Sequence, residues 1–187
     1  MPMKVAIYTI ALNEEKHVER WYKSSEDADY HIIADTGSTD KTVEIAKSLG
    51  ITVHHISVKP WRFDDARNAA LALVPSDADY CVIMDMDEIL KPGWRDELQK
   101  AYEAGDDKGL PRPKHQLATE YDRDGNPFNV FYANRIHTRY NYRWRHPIHE
   151  IIVRTPLEEE RYFPIDLKME HHPDNSKSRG QYLGMLE

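Results

Sequence analysis

The chain has 187 residues, 40% apolar and 30% charged, with 25 basic and 32 acidic side chains for a formal net charge of −7. That balance suits a soluble globular protein with one good core, or two small lobes sharing one. It excludes a disulfide framework, since Cys81 is the single cysteine, and a membrane-spanning helix, since no apolar run reaches bilayer length; the negative charge argues against a general nucleic-acid binder. No signal-peptide pattern opens the chain, so a cytoplasmic setting is expected, with Cys81 a buried, inert thiol.

Val5 to Ile10 reads as a short buried strand. Asn13-Glu14-Glu15 then opens a helical pattern to about Ser25, with acids in the first turn where the helix dipole favours them. Tyr30 to Ala34 is a second buried strand, ending at Asp35, and Thr36-Gly37-Ser38-Thr39-Asp40 is turn and cap chemistry. Val43, Ala46 and Leu49 give a helical face closed by Gly50. Thr52 to Val58 is a third strand, Phe63 to Val74 a helix, and Tyr80 to Met84 a fourth strand. Pro92 sits early in a further helix that runs to about Ala104.

Strand and helix alternating at these spacings imply crossovers and a parallel sheet. No Gly-x-Gly-x-x-Gly follows the first strand and no glycine loop carries a lysine, so neither a dinucleotide fingerprint nor a P-loop is present. After about Gly105 the pattern turns to β: Lys114 to Tyr121 and Phe128 to Arg135 are strands joined by an Asp-Gly hairpin loop. Further strands are expected at Ile148 to Val153 and Asp166 to His171, then a helix from about Ser176 to Glu187. The expected organisation is an α/β half over residues 1–104 and a β-rich half over 105–187, within one domain.

The segment with the most chemistry is Asp85-Met86-Asp87-Glu88, where a buried apolar run breaks into acid. If the backbone is still extended there, the two aspartates point to one side and need a counter-ion. A hard divalent cation with oxygen ligands fits, and the bland alternative is a solvated acidic loop. Asp35 and the pair Asn13–Glu14 fall at the carboxyl ends of strands two and one, where open α/β sheets hold ligands. Each also suits a turn or helix cap. Arg67, beside Asn68, can clamp a phosphate, or it can pair with Asp64. His171 or His172, ending the last strand, could complete a metal site begun by Asp87, and imidazole leans that site toward Mn²⁺ over Ca²⁺. Glu150 is a candidate general base, with a β-rim acid as the alternative. Arg135, Arg139, Arg143 and Arg145 interleave with Tyr132, Tyr140, Tyr142 and Trp144. That segment could stack bases or sugars, but composition favours a wall with rings inward and arginines outward.

In this order and at these spacings the pieces resemble a family 2 glycosyltransferase of the GT-A fold. They are the opening strand with Asn13-Glu14, the run Ile33 to Thr42, Phe63 to Asn68, the acidic motif, Ile148-His149-Glu150 and His171, and together they cover nearly the whole chain. The resemblance implies a mostly parallel, Rossmann-type central sheet flanked by helices, with a nucleotide-binding half followed by an acceptor-side half. It implies that Asp35 contacts the base or ribose of a sugar nucleotide, commonly UDP-linked, with Asn13 and Glu14 beside it. Arg67 would hold the diphosphate and Asp85 would touch ribose or metal. Asp87 would ligate Mn²⁺ or Mg²⁺, with His171 as a further ligand, and transfer would invert the anomeric carbon with Glu150 as base, Glu88 and Asp65 standing behind it. Relatives of this kind often continue into further helices, which would begin where this chain ends, so part of the acceptor site could come from another subunit. They also often follow the histidine with an aromatic residue and Gly, where this chain has His172-Pro173-Asp174. The acceptor stays open among a glycan, a lipid-linked sugar, a peptide and a modified nucleic-acid base. Two competing readings are a nucleotidyltransferase or nucleotide-sugar pyrophosphorylase, disfavoured because Ala11-Leu12-Asn13-Glu14 replaces its glycine-rich basic loop, and a non-catalytic sugar-nucleotide or glycan-binding module.

Overall fold

The computed structural model describes residues 2–156 and 159–173. The expected helix from Ser176 to Glu187 lies outside them. A five-stranded sheet forms the centre, built from β1 (Val5–Ala11), β2 (Tyr30–Asp35), β3 (Thr52–His55), β4 (Tyr80–Ile83) and a later strand, β8 (Ile136–Thr138). The order is β3-β2-β1-β4-β8, parallel except at β8. The chain winds outward from β1 to β3 and then returns to place β4 on the other side of β1. The carboxyl ends of β1 and β4 therefore flank a switch point, where a crevice forms.

Alternation along β1 divides the core. Val5 and Ile7 face a cluster with Val18 and Trp21 of α1 (Val18–Ser24), Ala46 of α2 (Thr42–Ser48) and Leu98 of α4 (Trp94–Glu103). Ala6 and Tyr8 face the other way, onto Ala70 and Leu71 of α3 (Phe63–Ala72) and onto Trp144. Period-two sequence thus becomes two packed layers.

A second sheet, of order β5-β11-β6-β7, comprises β5 (Glu88–Leu90), β6 (Arg112–Tyr121), β7 (Pro127–Ala133) and β11 (Tyr162–His171). A ribbon of β9 (Tyr142–Arg145) and β10 (Ile151–Arg154) lies against α3. The two larger sheets exchange strands: β5 leaves the first half of the chain to pair with β11, and β8 comes back from the second half to pair with β4.

Several expected boundaries move for local reasons. The first helix begins at Val18 rather than Asn13, because Asn13 takes a left-handed backbone (φ 54°) and the following residues make turns. The third strand ends at His55, short of Val58. Pro92 precedes its helix, and Gly93, at φ 87°, supplies the left-handed residue from which Trp94 starts. The strand expected over Phe128 to Arg135 ends at Ala133, and Ile136 begins β8 in the other sheet. β9 falls within the segment read as a wall with rings inward, while β5 was not expected; it has three residues, too few to show a period.

Two histidines are fully buried. His137 lies 2.9 Å from the Tyr8 hydroxyl, and His115 on β6 has no partner for either ring nitrogen among the described residues. Burial pushes both imidazoles down to about 3. The unfolded chain takes up these protons first, so the stability is complete above the ordinary histidine range and is lost as pH falls toward about 3. Urea unfolding between pH 7 and 4 should show a steep acid loss, about 1.4 kcal/mol per pH unit for each histidine. His115→Leu should flatten it, and an unchanged slope in that variant would remove His115 from the account.

Candidate active site

The loops at the carboxyl ends of β1, β2 and β4 gather at the switch point. Asp35, fully buried at the end of β2, accepts the N–H groups of Gly37 (3.1 Å) and Ser38 (3.2 Å), and its Oδ2 lies 3.1 Å from His55 Nδ1. Gly37 has φ 115°, a conformation that admits few other residues. Asn13 Oδ1 accepts the Thr39 N–H at 2.8 Å, while the Asn13 N–H donates to Ser38 Oγ at 2.9 Å. The Glu14 N–H donates to Thr42 Oγ1 at 2.7 Å. These bonds lace the loops after β1 and β2 into one rim. Asp35 and Asn13 thus have the turn-capping contacts that their residue types suit.

The two aspartates part company. The strand stops at Ile83, and Asp85 to Glu88 form a turn closed by the Glu88 N–H on Asp85 O at 2.9 Å. The expectation of carboxylates side by side on an extended chain is therefore corrected: the turn sends them to different partners. Asp85 receives both terminal nitrogens of Arg67, at 2.8 and 3.3 Å, and one from Arg135 at 3.0 Å. Its counter-ions are arginines. Asp87 instead faces the end of β11, with Oδ2 3.1 Å from His171 Nε2. The His172 N–H bonds the Asp87 carbonyl at 2.8 Å, so the backbone fixes that approach. His172 itself turns away, stacking on Tyr121 with ring centroids 5.0 Å apart and lying 3.1 Å from Glu170. Among the described residues, no group of three or more metal-binding side chains converges.

Arg67 is the centre of the buried charge. It stands in the first half of α3, and its side chain is 9% exposed. It donates through Nε to Glu150 at 2.6 Å as well as to Asp85. It is paired with neither Asp64 nor a surface group; Asp64 is held by Arg62. Burial alone would lower its pKa, but Asp85 and Glu150 outweigh that and hold the guanidinium charged. The same arginines, Arg67 and Arg135, keep Asp85 well below the usual carboxylate range against the pull of burial. Glu88 goes the other way. It is buried, accepts the Asp85 N–H at 2.8 Å and takes Arg135 at 2.8 Å. Burial, opposed by Arg135 and helped by the Asp85 charge, pushes it up to about 7.

Arg67 and Glu150 are braced from α3 and β9. Asn68 grips the Trp144 backbone twice, donating to its carbonyl at 3.0 Å and accepting its N–H at 2.9 Å. The Trp144 ring lies under the guanidinium of Arg67, 5.1 Å from centroid to carbon, and its indole N–H donates to Tyr8 Oη at 3.0 Å. Arg143 and Arg145 alternate outward from the same strand and are exposed, as expected for a wall with rings inward. Tyr132 and Tyr140 are exceptions, both exposed. Of the reserve acids, Glu88 is sealed inside, and Asp65 is exposed beside Arg62 at 3.3 Å. Sequence reasoning did not assign Arg135 to the acidic motif. It lies 50 residues from Asp85, and only the return of β8 beside β4 brings it there. No local pattern in the sequence marks it.

The Glycosyl transferase family 2 model matches residues 6–162. The chain belongs to that family, and its architecture is of the GT-A type. Two curated relatives are uncharacterised glycosyltransferases, one from Rickettsia bellii (36% identical over 97 residues) and one from Rickettsia typhi (34% over 98). Each match spans 51% of this chain and 32% of the relative, so the shared part is about a third of those proteins. Among solved structures, Staphylococcus aureus TarS superposes with a TM-score of 0.50 at 17% identity, over 68% of this chain and 23% of TarS.

Arg67→Met should destabilise the protein by about 1–3 kcal/mol at neutral pH, because it leaves the partly buried Glu150 without its arginine and Asp85 with Arg135 alone. Asn68→Ala should cost about 1–3 kcal/mol, the range for leaving buried polar groups unpaired. Chemical denaturation of the two variants checks both figures, and a near-neutral Arg67→Met would show that the carboxylates find other partners.

Proposed function

We propose that the chain is the donor-binding and transfer unit of a glycosyltransferase. It moves a sugar from a nucleoside-diphosphate donor, UDP-linked, to an acceptor hydroxyl with inversion, using Mn²⁺ or Mg²⁺. The observation that carries this reading is the division of labour within the acidic motif. Asp85 is neutralised by arginines, while Asp87 faces His171 at the surface, their side chains 27% and 30% exposed.

The fit to a metal rests on that pair. An octahedral ion with ligands about 2.1 Å away places neighbouring ligands roughly 3.0 Å apart. Asp87 Oδ2 and His171 Nε2 are 3.1 Å apart. Two protein ligands suit an ion whose other positions belong to water and to a substrate's phosphates. When bound, the ion would supply Lewis-acid stabilisation of the departing diphosphate.

The chain's own residues do the rest. Asp35, Asn13 and Glu14 form the rim on which the nucleoside lies. Asp85, with Arg67 and Arg135, sets the floor beneath the diphosphate. Glu150 accepts the acceptor's proton through Oε2, Oε1 being taken by Arg67, so Arg67 serves as the brace of the base more than as a free phosphate clamp. Inversion follows from a single displacement with no enzyme nucleophile. Residues 1–104 would carry most of the donor site and residues 105–187 most of the acceptor side. TarS, which shares the fold, has been solved with UDP, and that nucleotide is the first to test.

A thermal-shift panel of UDP-, GDP- and TDP-sugars with and without Mn²⁺ should single out the UDP set with metal, since ligand binding raises apparent stability by mass action. In calorimetry, Asp87→Asn and His171→Ala should each weaken Mn²⁺ uptake in the presence of UDP by at least tenfold, with the fold intact. His171 is held above its ordinary pKa, chiefly by the hydrogen bond with Asp87, so protons compete for the ligand and metal affinity should fall as pH drops through that range. Glu150→Gln should retain donor binding and lose transfer. Failure of wild-type protein to bind either metal in the presence of UDP would overturn the proposal.

A further inference from the structure

Among the described residues, one sheet edge is unlike the others. β7 is the outer strand of the second sheet and runs for seven residues, whereas the other edge strands are shorter: β3 and the two ribbon strands have four each, and β5 and β8 three. Short or charged edges are how soluble proteins prevent strand-to-strand association. β7 has neither protection. Its sequence, Pro-Phe-Asn-Val-Phe-Tyr-Ala, carries no charged residue. Phe128 is 65% exposed, Val130 44%, Phe131 48% and Tyr132 58%, so both faces of the strand are apolar and open.

We propose that β7 pairs antiparallel with β7 of a second copy of this chain, about a twofold axis at Phe131, to make one continuous eight-stranded sheet. The register follows from the strand itself. From Val130 to Ala133 the pairing of β7 with β6 is regular, and irregularities begin only beyond Val130. An axis at Phe131 uses that straight stretch. It sets Phe131 against its own symmetry mate and Val130 against Tyr132 of the other copy, which are the aromatic and β-branched pairings that stabilise antiparallel ladders. An uncharged strand also meets itself without repulsion. A lipid surface is the poorer occupant, because the hairpin tip beside β7 carries Asp122 and Asp124 against Arg123 alone, with Glu120 exposed below. Anionic lipid would be repelled there.

Because the axis sets residue 131 against itself, charge exchange tests the register directly. In sedimentation velocity over a wide concentration range, the full chain should form a dimer that dissociates on dilution. Phe131→Lys and Phe131→Glu should each be monomeric with unchanged circular dichroism, and mixing them should restore a dimer. Val130→Lys, at an equally exposed position, serves if either variant folds poorly. A wild-type chain that stays monomeric overturns the proposal, and a Phe131→Lys protein that stays dimeric does the same. Two monomeric variants that ignore each other exclude the twofold at Phe131. A monomer whose residues 127–133 resist hydrogen exchange assigns the edge to a segment of its own chain, and a monomer that sediments with phosphatidylcholine vesicles assigns it to lipid; either result refutes the dimer. None of these readouts depends on glycosyl transfer.

Discussion

The site depends on one buried cation. Arg67 joins three parts of the chain that are far apart in sequence: α3 on which it stands, the turn after β4 through Asp85, and the loop before β10 through Glu150. Taking those charges out of water costs several kcal/mol per ion, and only close, multiply bonded geometry offsets it. The structure meets that condition with charge on both sides. Arg135 shares Asp85 with Arg67, and Glu88 shares Arg135 with Asp85. The arrangement is better understood as a frame for the acidic turn than as a source of net stability.

That frame explains why neighbouring acids behave so differently. Asp85 lies between two guanidiniums and stays ionised. Glu88, three residues on, has one of them, is more completely enclosed, and is pushed toward neutrality. Asp87 sits between them in sequence but outside them in space, at the end of β11. A single turn thus converts a run of acids into an anchor held by arginines, a carboxylate facing β11 and an internal strut. The metal-dependent transfer proposed above asks for this separation, since a cation would be drawn to a carboxylate that arginines do not already neutralise.

The central sheet was legible because its strands are buried runs of Val, Ile and Ala separated by helices of ordinary length. Asp35, Asn13 and Asp85 were legible because they fall where those runs stop. Parts were hidden for definite reasons. β5 is too short to show a period, and its partner lies some eighty residues away. The left-handed backbone of Asn13 moved the first helix, although the acids after it resembled a helical first turn. Arg135 belongs to the site only because the chain breaks after Ala133 and changes sheets, a topological event with no local signature. The direction of the Asp85 side chain was misjudged because extended geometry was assumed one turn too far.

The exchange of β5 and β8 has a mechanical result. Each sheet contains a strand whose preceding strand belongs to the other, so the two are stitched together on both sides of the acidic turn. Hinge opening of one lobe from the other would break ladders of backbone bonds. The loop between the ribbon strands is fastened as well: His146 and His149 hold left-handed conformations, the Phe63 N–H bonds the Pro147 carbonyl at 3.1 Å, and Glu150 is held by Arg67, so the loop is moored to the head of α3.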